Sequence, residues 1–310
     1  MSPEIDRTSF SPKSGRSLEF EEHDGRLYNG VQENYQLPAD KEEIIRLNSQ
    51  HRALTMLFGS LIPSAIVENI EKQTKPRILD VGCGTGIWSI EVALKYPQAF
   101  VTGVDLVSIH PSNHSSNVEF VKLDILDSFP EGWEGSFDLI HARYLIAGIR
   151  DFALLVSSLT KLLSPNGHLL IIEPQALYRT ASQEIEEACP ATAKYVALVN
   201  QAMAKLQIDP NPGKTISEYL QSDGRYDQVV TRSFDMPLSP WSKDLTLKEV
   251  GQAHLPVSLS LPGAFRRIVL STEVTTADIY DRLTVESREE IDSGKGELSL
   301  PVWMTFASKL

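Results

Sequence analysis

One acid, three glycines and two later acids stand where they could hold a cationic nucleoside. Residues 80–86 read Asp-Val-Gly-Cys-Gly-Thr-Gly, between a short apolar run at 77–81 and a helix-periodic stretch from Ile87 to Tyr96. Glycines at such a junction let the backbone turn sharply and let a ligand approach with no Cβ in the way. The helix that follows offers unpaired N–H groups and about half a positive charge at its start. A dinucleotide fingerprint would need its third glycine at the position held by Ile87. The acid ending the apolar run is unhelpful beside a pyrophosphate but suits a cation. S-adenosylmethionine supplies one, as an ammonium next to a carboxylate and as a sulfonium. Asp80 is therefore expected to hold the ammonium, directly or through water. Gly82, Gly84 and Gly86 then accommodate the methionine part and the ribose.

The two later acids extend the pattern. Asp105 closes the next strand-like run, 105 − 86 = 19 residues after Gly86, and Asp124 follows a third run after another 124 − 105 = 19 residues. A carboxylate at Asp105 can accept hydrogen bonds from both ribose hydroxyls, each worth ~1.5–3 kcal/mol when charge-assisted. Asp124 can accept from the adenine amino group, with Leu106 and Ile125 as apolar walls for the ring.

Methyl transfer from such a cofactor is an in-line displacement, and an alcohol or phenol acceptor also needs a base. His141, His254 and His51 are the candidates, and the sequence does not choose among them. His23, His110 and His114 fall in loops. Glu173 could face the substrate from a strand end or serve as a buried cap. Tyr178, Trp241, Phe265 and Trp303 are candidate pocket aromatics, each with core packing as the alternative. Cys83 reads as a small filler, since no basic neighbour lowers its pKa.

The surrounding elements must hold these side chains. Asp40 with Glu43 makes a capping-box-like start to a helix expected over 41–58, and a second helix is expected over 62–72. Strands are expected at 77–81, 100–105, 118–123, 137–141 and 168–173. Helices are expected at 87–96 and 152–163, with a turn at 164–167. Strand-like runs with little polar alternation suit a sheet covered on both faces, and the βαβα order argues for a doubly wound α/β sheet. Beyond Glu173, residues 182–207 read as helix broken near Pro190, 226–236 and 301–308 as strands. Residues 246–290 read as helix in pieces, interrupted at Pro256 and at Pro262-Gly263. Residues 1–26 carry few apolar groups and read as a loose arm.

Twenty-nine lysines and arginines against 41 acids give a net charge of −12. That excess, with no basic block, argues against binding nucleic acid or an anionic membrane surface. Cys83 and Cys189, the two cysteines, form no disulfide framework and no metal-ligand spacing. No apolar run approaches the ~18 residues that span a bilayer, and the first ten residues lack a signal-peptide core. A cytoplasmic or nuclear chain with no metal is the expectation.

The segment from 77 to 173 resembles the class I S-adenosylmethionine-dependent methyltransferase core. More narrowly, ILDVGCGTGIWSIEVALKYPQAFVTGVDL, NVEFVKLDI and FDLIHARYL resemble the fungal LaeA-like methyltransferases, as do YNGVQENYQLPADKEEIIRLNSQHRAL upstream and PLSPWSKDLTLKEVG downstream. The resemblance implies a Rossmann-like seven-stranded sheet with an antiparallel final strand, an N-terminal helical cap and a helical lid inserted after the fifth strand. In that layout, 1–27 is a flexible arm and 28–310 the methyltransferase domain. The domain divides into a cap at 28–76, a cofactor-binding core at 77–175, a lid insertion at 176–220, and C-terminal strands with a helical insertion at 221–310. It implies cofactor contacts at Gly82, Gly84, Asp105, Asp124 and Ile125, with His141 and Arg143 near the methionine end. Tyr28 and Tyr35 match aromatic positions that relatives fold over the cofactor. Asn166-Gly167 stands where Gly-Gly is frequent, a turn variant, and Ile172-Glu173-Pro174-Gln175 departs from a common Glu-rich ending. The implied activity is methylation of a small-molecule acceptor in secondary metabolism, on oxygen before nitrogen or sulfur. The alternatives are a regulator acting through protein partners and a methyltransferase fold turned to a non-methylating cyclisation.

Overall fold

The computed structural model describes residues 20–30, 37–127, 129–181 and 183–310. Seven strands form one sheet: β3 (Arg77–Val81), β4 (Phe100–Asp105), β5 (Val118–Lys122), β6 (Phe137–Arg143), β7 (Leu163–Pro174), β8 (Tyr226–Pro237) and β9 (Ser299–Lys309). Their order is β5-β4-β3-β6-β7-β9-β8. Neighbours from β5 to β7 are parallel, and β9 runs antiparallel to both β7 and β8. The chain order reverses beside β3, so a crevice opens at the carboxyl ends of β3, β4 and β6, where ligands bind in open α/β sheets.

Alternation along β3 shows why the sheet is buried on both sides. Ile78 enters one core with Ile66, Trp88 and Val92, and Leu79 enters the opposite core with Leu155, Leu159 and Ile216. The first face is covered by α1 (Lys41–Phe58), α2 (Ser64–Lys72) and α3 (Ile87–Lys95). The second is covered by α4 (Phe152–Leu162) and α7 (Pro212–Ser222). Two further helices, α5 (Ile185–Ala188) and α6 (Pro190–Lys205), follow β7, while α8 (Leu245–Ser271) and α9 (Ala277–Asp292) separate β8 from β9. Tyr195, Val269 and Tyr280 knit α6, α8 and α9 into a core of their own.

Four expectations need correction. Residues 20–29 are a hairpin, β1 (Phe20–His23) and β2 (Arg26–Asn29), turned by Asp24-Gly25 at φ 51° and 75°. Asp-Gly is the pair that supplies such a turn, and Arg26 to Asp40 and Arg266 to Asp24 pin the hairpin down. Residues 1–19 of the expected arm lie outside the described residues. The capping box is half made: Asp40 accepts from the Glu43 N–H at 3.0 Å, but the Glu43 carboxylate turns to Arg46. Helix α8 runs unbroken through Pro256 and Pro262. A proline strips a hydrogen bond from the carbonyl four residues back, here those of Gln252 and Ser258, and the helix continues through both because its apolar face is buried at Val250, Val257, Ile268 and Val269. Finally, the turn at 164–167 is a bulge inside β7, between the pairs Phe137–Leu163 and Leu139–His168. Asn166 sits there at φ 60°, a conformation asparagine tolerates.

Candidate active site

A cavity of about 430 Å³ opens at the carboxyl edge of the sheet. It is lined there by Gly82 and Gly84 after β3, Asp105 and Leu106 at the end of β4, Asp124 and Ile125 after β5, and Arg143 at the end of β6. Parallel strands ending at one edge bring together acids that are far apart in sequence. The loop is held by its own backbone: the Cys83 N–H donates to the Val104 carbonyl at 3.0 Å and the Gly86 N–H to the Cys83 carbonyl at 2.8 Å. Gly82 and Gly86 take φ of 68° and 70°, and a Cβ on Gly86 would sit 2.4 Å from the Phe120 ring. Gly86 thus starts α3 without lining the cavity. Cys83 does line it, with burial and Asp105 pushing its thiol well above the usual range.

Asp105 anchors the loop before any ligand arrives. Its Oδ2 accepts from the Gly84 N–H at 2.8 Å and its Oδ1 from the Val107 N–H at 3.0 Å. Burial raises its pKa, and these backbone donors oppose the rise. A carboxylate offers about four lone-pair sites, so each oxygen keeps capacity for a hydroxyl. Asp124 Oδ1 accepts from the Leu126 N–H at 2.9 Å. The cleft therefore offers two acids, apolar walls at Leu106 and Ile125, and a cation at Arg143. That set fits a nucleoside bearing an amino acid, as S-adenosylmethionine does.

Asp80 has a different role from the one expected. It is 2% exposed, accepts from Ser89 Oγ at 2.6 Å and meets His141 Nδ1 at 2.8 Å. Strand alternation turns it toward α3, so both oxygens are engaged away from the cavity. His141 is equally withdrawn, stacked on Trp88 with ring centroids 3.8 Å apart. Burial lowers its pKa, and it does not line the cavity. His51 is also off the cavity, between Glu91 and Arg143. Tyr28 packs under the Arg267 guanidinium at 4.6 Å and stays outside the lining residues; Tyr35 lies outside the described residues. Of the three histidine candidates, only His254 reaches the cavity. Its Nδ1 lies 3.2 Å from Ser258 Oγ, and burial lowers its pKa to about 4 despite a hydrogen bond with the Pro237 carbonyl.

Past the glycine loop the cavity becomes apolar. Tyr178, Val199 and Met203 close one side and Val257, Leu261 and Phe265 of α8 the other. Trp241 and Trp303 belong to packing instead: Trp241 Nε1 donates to the Leu298 carbonyl, and Trp303 covers Gly213. Several polar lining residues went unread in the sequence, four of them at the joint between the glycine loop and the apolar chamber. Glu43, Arg46 and Gln50 project from one face of α1 at i, i+3 and i+7, and Tyr144 follows Arg143 at φ 57° with its buried hydroxyl unpartnered. The signal on α1 was a polar stripe on the face that should have been apolar. Tyr144 carried none.

Glu173 serves as a cap. It is 1% exposed and accepts from the Leu145 and Ile146 N–H groups at 2.7 and 3.0 Å, fixing the turn after Tyr144. Burial raises its pKa to about 8. The folded state then holds a proton that the unfolded state has released above about pH 4.5, so stability falls as pH rises toward 8. Between pH 7 and 8 we expect a loss of about 1 kcal/mol by urea unfolding, absent in Glu173→Gln. Equal slopes for the two proteins would show that Glu173 is ionised in the fold.

A family described as a methyltransferase domain matches residues 72–228. The secondary metabolism regulator laeA of Aspergillus fumigatus is 32% identical over 246 residues, covering 78% of this chain and 63% of that protein. A protein-methionine methyltransferase, laeA of Emericella nidulans, is 32% identical over 263 residues, covering 82% and 67%. A methyltransferase of Strobilurus tenacellus is 26% identical over 258 residues, covering 83% and 90%. The chain thus spans about two thirds or less of the length of these two laeA relatives. Among solved structures, a Haemonchus contortus phosphoethanolamine N-methyltransferase superposes with a TM-score of 0.47 at 17% identity, covering 91% of this chain and 61% of that one. No helix among the described residues is long and apolar enough to cross a membrane, and no group of three or more metal-ligating side chains occurs among them.

Proposed function

The chain belongs to the methyltransferase-domain family, in its LaeA-like group, and on that footing we propose that its cleft binds S-adenosylmethionine and serves methyl transfer to an oxygen of a neutral, largely apolar small molecule. One observation carries the reading: a single cavity joins Gly82, Asp105 and Asp124 to a chamber walled by Tyr178, Val199, Met203 and Phe265. When bound, the cofactor supplies an electrophilic methyl carbon on a sulfonium. Asp105 accepts from the ribose hydroxyls, Asp124 from the adenine amino group, and Arg143 takes the carboxylate. The chamber walls exclude water and hold the acceptor in line, which can supply ~7–11 kcal/mol of the barrier.

The acceptor's polar end meets Arg46, Tyr144 and His254, which border both halves of the cavity. Glu43 is closed on Arg46 and is no free base. His254 is neutral at pH 7, and with one ring nitrogen serving the Pro237 carbonyl its acceptor is Nδ1, 3.2 Å from Ser258 Oγ; with Ser258 turned to the His254 carbonyl, Nδ1 takes the proton of the acceptor hydroxyl as the new C–O bond forms.

A second reading draws on the Emericella nidulans relative, named for methylating protein methionine. A thioether has no proton to lose, so it asks nothing of a base. In that case the chain acts on protein partners, as its regulator-named relatives suggest. The test is incubation with methyl-labelled S-adenosylmethionine, followed by partition of extracts from the source organism into organic and protein fractions. Label in an organic-soluble product heavier by one methylene is expected. Label confined to protein methionine overturns the first reading in favour of the second. Conversion of an acceptor with S-adenosylhomocysteine alone would mark a non-methylating reaction.

A further inference from the structure

A chain of three side chains, with a buried His51 at its centre and a half-exposed Glu91 at its outer end, runs from α3 to the cavity wall. Glu91 Oε2 lies 2.9 Å from His51 Nε2, and His51 Nδ1 lies 3.3 Å from both Nη1 and Nη2 of Arg143. A guanidinium only donates, so Nδ1 must accept from it, and the ring proton sits on Nε2 and is donated to Glu91. His51 is 2% exposed and sits across the end of the guanidinium fork. Arg143 lines the cavity, yet among the described residues no carboxylate lies within 4.0 Å of it. A cation with no anion in contact is costly to take out of water, and burial accordingly pulls its pKa below the ordinary value, against the longer-range charges of Asp80 and Glu91. The place left for an anion is the cavity side.

We propose that His51, backed by Glu91, is a positioning residue that aims Arg143 at the carboxylate of the cofactor's amino-acid end, so that protonating His51 loosens the cofactor. This rests on the cofactor reading above. The physical step is a change of donor to acceptor count. Neutral His51 offers Nδ1 a lone pair for the guanidinium; the imidazolium presents a second cation and an N–H with no acceptor opposite. The groups facing the ring are Glu91 on α3, Arg143 on β6 and Asp80 on β3, the last engaged by His141 on β6. Burial and Arg143 hold His51 below its usual range, against the pull of Glu91 and Asp80. The ring is thus neutral at pH 7.5, and its titration falls on the acid side of 6.5.

Calorimetry with two probes tests this: S-adenosylhomocysteine, which carries the carboxylate, and 5′-methylthioadenosine, the same nucleoside thioether without the amino acid. As pH is lowered from 7.5 through the titration of His51, wild-type affinity for the first should fall, by up to tenfold per pH unit once the ring is protonated, while affinity for the second stays level. His51→Leu should bind the first about tenfold more weakly at pH 7.5 and the second unchanged. His51→Asn, whose amide oxygen can accept from Arg143, should restore binding of the first and abolish its pH dependence. The proposal is overturned if His51→Asn keeps the wild-type pH profile, or if folded His51→Leu binds both probes like wild type. If His51→Leu does not fold, the His51→Asn profile decides. If neither probe binds the wild type at pH 7.5, the cofactor reading fails and takes this inference with it.

Discussion

Asp105→Ala should weaken S-adenosylhomocysteine binding by about a hundredfold, with the apo protein still folded. Two charge-assisted hydrogen bonds at ~1.5–3 kcal/mol each set the ceiling. Water entering the truncated site offsets part of that, leaving about 2.7 kcal/mol, or two factors of ten. A second contribution comes from the loop itself. Asp105 accepts from the Gly84 and Val107 N–H groups, so alanine also frees the segment that must meet the ligand. Asp105→Asn separates the two effects. Its amide oxygen can accept one backbone donor, but its NH₂ group faces the other, and the lost charge weakens both hydroxyl contacts. An intermediate loss of about tenfold is expected. Calorimetric affinities within twofold of wild type for Asp105→Ala would remove Asp105 from the ribose site.

Strand alternation and loop spacing made the glycine-loop half of the cavity legible in the sequence. Gly82, Gly84, Asp105 and Asp124 are each fixed by position relative to a strand end, and parallel strands bring those ends to one edge. Asp80 looked equivalent by the same spacing. Its direction depends on which face of β3 it occupies and on Ser89 and His141 arriving there, 9 and 61 residues away. Periodicity carries no information about those arrivals. Pro256 and Pro262 misled for a related reason. Proline disfavours a helix interior by local sterics, whereas α8 persists because Val250, Val257, Ile268 and Val269 are buried along its length. The apolar half was least legible, since its wall comes from α1, α6 and α8 and from the strained turn at Tyr144. The hairpin at 20–29 was readable from Asp24-Gly25, but the low apolar content around it pointed the other way.

Arg46→Ala should be the costliest single substitution in the cleft, at ~3–5 kcal/mol of stability. Glu43 and Arg46 are 2% and 6% exposed, and Arg46 closes on both carboxylate oxygens through Nε and Nη2. Removing the guanidinium strands a carboxylate beneath α8 with no replacement donor. Replacing both partners should be far milder, because no charge is then left behind: Glu43→Leu with Arg46→Met is expected within about 1 kcal/mol of wild type. A urea-unfolding double-mutant cycle reads the difference. If Arg46→Ala alone costs under about 1 kcal/mol, cavity water solvates Glu43 and the pair is not buried in the sense that matters. The same double variant addresses why an ion pair stands here at all. Arg46 lies close enough to Tyr144 and His254 to bias the pKa of both downward, at the joint between the glycine loop and the apolar chamber. A wall that stability does not require, yet that keeps charge at this joint, is explained by orienting the acceptor's polar end. The double variant should therefore bind S-adenosylhomocysteine as wild type does while losing at least tenfold in methyl transfer. Retained transfer would assign the pair to packing alone.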